Sequence, residues 1–66
     1  MKVLVNGEEW NFEPNVPISM LISSLGFEAG SVAVACDGKF LPRAKWATTV
    51  VDGTEQIEIL SPMQGG

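Results

Sequence analysis

The chain has 66 residues, 45% hydrophobic and 18% charged, which is enough for one small globular core and too little to enclose a pocket. Eight acidic against four basic residues give a net charge of −4. Lys2, Lys39, Arg43 and Lys45 form no run, which excludes a nucleic-acid surface built on concentrated positive charge. Histidine is absent and Cys36 is the only cysteine, so the residues for a zinc site, a Cys-His nucleophile pair or an internal disulfide are missing. With no leader pattern and no apolar run near the ~20 residues of a membrane span, a cytoplasmic protein without membrane contact is expected.

Lys2-Val3-Leu4-Val5 and Glu8-Glu9-Trp10-Asn11-Phe12 flank Asn6-Gly7, the strongest short-range hairpin signal. A two-residue loop pairs Val5 with Glu8 and Val3 with Trp10. Val3, Val5, Trp10 and Phe12 then share a core face, and Lys2, Leu4, Glu9 and Asn11 a wet one on which Leu4 is the apolar exception. Pro17 suits a first helical position, and Ile18, Leu21, Ile22 and Leu25 follow at i, i+3, i+4 and i+7 before Gly26. Such a helix is too short to stand alone and should lie against the hairpin's core face, with Ser19, Ser23 and Ser24 in solvent.

Val32–Cys36 reads as a central strand turning at Asp37-Gly38 into Lys39-Phe40-Leu41. Pro42 breaks the pairing, and Arg43–Ala47 has the length of one helical turn that tucks Trp46 inward, its indole N–H finding a local acceptor. After a turn at Asp52-Gly53, Gln56–Leu60 is the last strand. Ile57 and Ile59 face the core, Glu58 faces water and Leu60 is exposed beside the tail. This order predicts an α+β, β-grasp domain over 1–60: a mixed sheet of about five strands, one helix across one face, and the last strand parallel to the first. Leu4 and Leu60 would then be neighbours on the open face and, with Met63, form a partner-contact patch.

Residues 61–66 are expected to be a flexible tail ending in Gly65-Gly66. Without side chains these glycines can thread into a narrow partner site, reached through Gln64. An ionised α-carboxylate at Gly66 is a poor electrophile until adenylation supplies a leaving group. A loose terminus without a role is the competing reading.

The opening Val3-Leu4-Val5-Asn6-Gly7-Glu8, Val32-Ala33-Val34-Ala35, Leu41-Pro42-Arg43 with Trp46, Asp52-Gly53, Ile57-Glu58-Ile59 and Gly65-Gly66 together resemble the ThiS family, the ubiquitin-like sulfur carriers of thiamine biosynthesis. The Pro42-Arg43 to Trp46 stretch is the more specific mark. The resemblance implies a protein cosubstrate rather than an enzyme, with no catalytic residue and no bound cofactor. In such a cycle an E1-like, ThiF-like enzyme consumes ATP to adenylate Gly66. A sulfur donor, such as a cysteine desulfurase system, gives the thiocarboxylate, and a ThiG-like thiazole synthase takes the sulfur. Ser61-Pro62 is also similar to the small subunit of molybdopterin synthase, an alternative sulfur carrier. A ubiquitin-like binding module with an idle tail is the reading from another class. Cys36 reads as a small core residue, and Glu8, Glu9, Asp52, Glu55 and Glu58 as a solvated surface able to steer a basic partner.

Overall fold

Strands β1 (Lys2–Val5) and β2 (Glu8–Asn11) pair antiparallel with Val3 opposite Trp10 and Val5 opposite Glu8. Asn6 and Gly7 join them with φ of 52° and 81°, the pair of positive dihedrals a type I′ turn needs. The structure is a computed structural model and describes residues 1–61. Pro62, Met63, Gln64, Gly65 and Gly66 lie outside the described residues.

A two-residue strand β3 (Val16–Pro17) leads directly into helix α1 (Ile18–Ser24). Pro17 therefore stands just before the helix, at φ −67° and ψ 148°, one place earlier than its predicted first-turn position. No side chain caps α1. Its first N–H groups instead reach carbonyls far along the chain, Ile18 to Thr49 at 2.9 Å and Ser19 to Trp46 at 3.3 Å. Gly26, at φ 87°, closes the other end with the paired bonds of a Schellman motif, Gly26 N–H to Ser23 and Phe27 N–H to Ile22.

A 3₁₀ turn (Ala29–Ser31) precedes β4 (Ala33–Cys36), which pairs antiparallel with β5 (Lys39–Leu41). A second 3₁₀ turn (Arg43–Lys45) buries Trp46, whose Nε1–H donates to the Leu41 carbonyl at 3.1 Å, as predicted. The two-residue β6 (Val50–Val51) pairs with β3 in a small second sheet that the sequence did not announce. β7 (Gln56–Leu60) completes a five-stranded sheet ordered β2-β1-β7-β4-β5, parallel to β1 and antiparallel to β4.

The core lies between this sheet and α1: Val3, Val5, Val34, Ile57 and Ile59 from the sheet meet Ile18, Leu21 and Ile22, with Val16, Val51 and Trp46 closing the side. Trp10 is a correction. Strand alternation puts it on the core face with Val3, Val5 and Phe12, yet it is 44% exposed, and Phe12 is only half-buried. A seven-residue helix is about 10 Å long, while five strands span about 19 Å, so α1 covers the middle of the sheet and leaves the edge strand β2 uncovered.

Candidate functional site

β7 is the central strand, with β1 on one side and β4 on the other, so the chain leaves for its tail from a segment held on both edges. Turns brace it as well. The Asp37 N–H donates to the Gln56 carbonyl at 2.9 Å and its Oδ1 accepts from the Gln56 N–H at 2.9 Å, fixing the strand's start. Near its end, the Asn6 side chain bonds both main-chain groups of Ile59.

The face away from α1 carries the alternate residues of each strand. Leu4 stands opposite Gln56, whereas Leu60 stands opposite Ala33. The predicted neighbours are thus on one face but separated by Gln56 and Glu58, about 13 Å along the strand. The parallel register sets this: β1 ends at Val5, opposite Ile57, and turns away before reaching the level of Leu60. Leu60, 61% exposed, borders Ala33 instead, and the next row holds Ala35 and Phe40. Phe40 is 70% exposed and was not singled out from the sequence, although its alternation with Leu41 would have placed it outward. Met63 lies outside the described residues, as do the predicted tail residues Gln64, Gly65 and Gly66.

Charge on this face is acidic at its centre, where Glu58 separates Leu4 from Leu60. Lys2 and Glu9 approach at 3.9 Å with both side chains largely in water, a pairing that adds little stability. An open groove of about 300 Å³ runs beside the first turn, lined by Leu4, Asn6, Gly7, Gln56, Ile57 and Glu58. The Asp52-Gly53 turn is closed by its own side chains: Glu55 accepts from the N–H groups of Asp52 and Gly53, and Asp52 accepts from Thr54. The Thr54 bonds hold the Asp52 carboxyl below its ordinary range. Cys36 faces the core side of β4, opposite Ile57, where burial first and then the Asp37, Glu55 and Asp52 carboxylates push its thiol pKa up. A raised thiol pKa is the opposite of what a reactive cysteine requires. Among the described residues there is no cluster of three metal-ligating side chains, and no helix is long and apolar enough to cross a membrane.

The model of the ThiS family matches this chain over residues 3–66. The chain belongs to the ThiS family. A solved ThiS neighbour is the thiamine biosynthesis protein from Geobacter metallireducens, whose crystal structure superposes with a TM-score of 0.84 at 29% identity, covering all of both chains. The β-grasp architecture is that of ThiS. The thiazole synthase of Paramagnetospirillum magneticum is 32% identical over all 66 residues, and this ThiS-family chain spans 20% of that protein's length. The uncharacterized protein ycf40 of Porphyra purpurea is 23% identical, with 93% of its length covered.

Proposed function

We propose that this chain is a sulfur carrier of thiamine biosynthesis and that Gly66 carries its chemistry. The supporting observation is that the family match runs through the last residue, so that Gly65-Gly66 belongs to the matched sequence rather than trailing beyond it. A carboxylate oxygen of Gly66 attacks the α-phosphorus of ATP on an E1-like enzyme and pyrophosphate leaves. A sulfide-level nucleophile then attacks the acyl carbon, AMP leaves, and a thiocarboxylate remains. That ion is a soft sulfur nucleophile tethered to a protein that partners can recognise. The chain itself is the cosubstrate.

Thiazole synthase is the acceptor this reading favours over a molybdopterin-type partner. In proteins named thiazole synthase from two bacteria, one fifth of the length aligns with the whole of this chain, so a domain of this type shares a polypeptide with the synthase there. The exposed face bearing Leu60 and Phe40, with Leu4 at its far side, is the docking surface of this reading, and the acidic residues around it suit a basic rim on the partner. Gln64 and Gly65 give the reach into the partner's site, and Met63 extends the contact. Incubation with a thiamine-pathway adenylating enzyme, ATP and sulfide, read by intact mass, tests the assignment. A gain equal to replacing one oxygen by sulfur, absent when Gly66 is deleted, is the expected result. No gain with an enzyme that loads its own carrier would refute it.

A further inference from the structure

We propose that Asn6 is a positioning residue that fixes the root of the C-terminal tail through the backbone of Ile59; this deepens the carrier reading and rests on it. β1 stops at Val5, where the chain turns back into β2. Its last main-chain bond to β7 is the Asn6 N–H donating to the Ile57 carbonyl at 2.9 Å. Beyond that point the side chain takes over. Asn6 Oδ1 accepts from the Ile59 N–H at 2.8 Å, and Nδ2 donates to the Ile59 carbonyl at 3.3 Å. A primary amide carries an acceptor and a donor in one plane, as a peptide unit does, so Asn6 continues the sheet past the end of β1.

Turn geometry does not account for this choice of residue. Glycine and aspartate both fit the first position of a type I′ turn. Glycine would offer Ile59 nothing, and aspartate would set a carboxylate against its carbonyl. Only Leu60 of β7 follows Ile59, and the tail follows Leu60. With the amide removed, the end of β7 is held from the β4 side alone and can pivot about that edge. A tail that must enter a partner's site from a docked body is sensitive to such a pivot, since about 1 Å of misplacement can cost on the order of a hundredfold in rate.

The test uses the full chain with an E1-like adenylating enzyme and ATP, following pyrophosphate release, beside amide hydrogen exchange on the free chain. Asn6→Gly keeps the turn and deletes the amide. Asn15→Gly is the control, being another left-handed asparagine (φ 60°) with no side-chain hydrogen bond among the described residues. Asn6→Gly should exchange the Ile59 amide roughly tenfold faster while the amides of β4 stay protected, and should lower kcat roughly tenfold with KM nearly unchanged, because docking precedes threading. Asn15→Gly should do neither. A purely structural role would instead loosen Ile59 and β4 together and leave kcat intact on the folded protein, and that result overturns the proposal. Should Asn6→Gly fail to fold, Asn6→Asp carries the test. Its carboxylate can still accept from the Ile59 N–H but repels the Ile59 carbonyl instead of donating to it, so kcat should fall at neutral pH with KM nearly unchanged; a kcat equal to that of the wild type counts against the role. A wild-type chain inert toward an active enzyme removes the carrier reading and this one together, whereas an active wild type matched in kcat by Asn6→Gly removes this one alone.

Discussion

Asn6-Gly7 has φ of 52° and 81°, Asp37-Gly38 has 51° and 81°, and each turn returns a strand onto its antiparallel neighbour. Both also brace β7, one at each end. At the start, the Asp37 N–H donates to Gln56 and its carboxylate accepts from the same residue, so a side chain that only accepts is sufficient. Near the end, the Asn6 N–H is already committed to Ile57, and the side chain must both accept from and donate to Ile59. Identical local backbones therefore call for different side chains because of what lies across the sheet. Local turn chemistry explains the glycines, and long-range pairing explains the residues before them.

The largest effect that sharpens this comparison falls on the strand both turns hold. Ile57→Ala, at a position 1% exposed between the two braces, should cost about 2–5 kcal/mol in urea unfolding. A loss under about 1 kcal/mol would mean that the turns, rather than the core, fix β7. Next come the glycines. Gly7→Val and Gly38→Val should each cost about 1–3 kcal/mol, and nearly equally, because the dihedrals match. Clearly unequal losses would break the equivalence of the two turns. Asp37→Ala should cost about 0.5–1.5 kcal/mol and leave adenylation of the folded chain unchanged, in contrast to Asn6→Gly.

The smallest effect concerns Cys36, beside the second turn. Burial and the neighbouring carboxylates raise its pKa above the ordinary 9.0, so alkylation near neutral pH should be slower than that of a free thiol and modestly faster in Asp37→Asn. A group whose folded pKa is raised supports the fold below its unfolded pKa and loses that support as the pH rises through the folded value. The Cys36 contribution should therefore vanish only at alkaline pH, and Cys36→Ala should flatten that limb of the stability profile.

Hairpin register, the amphipathic face of α1, the burial of Trp46 and the alternation of β7 were all legible in the sequence, because turn chemistry and apolar spacing encode each of them locally. Trp10 was not, since period-two alternation tells which face a residue shares but not whether anything covers it. The separation of Leu4 from Leu60 depends on the parallel register between the two ends of the chain, which no local pattern carries. The β3–β6 pairing is two residues long on each side, below the reach of periodicity, and Pro17 disguised it as the first turn of the helix. For the candidate site, the open sheet face was readable, and the terminal glycines lie outside the described residues. Phe40 was readable too, from its alternation with Leu41, whereas the 53-residue reach from Asn6 to Ile59 became visible only in the fold.

Sulfur delivery tests the central claim most directly. The full chain, loaded with heavy-isotope sulfur as the only sulfur source, is mixed in a single turnover with thiazole synthase and its carbon substrates. The label should appear in the thiazole product while the chain returns to its carboxylate mass. A chain that stays loaded while the same synthase consumes its own loaded carrier would contradict the account.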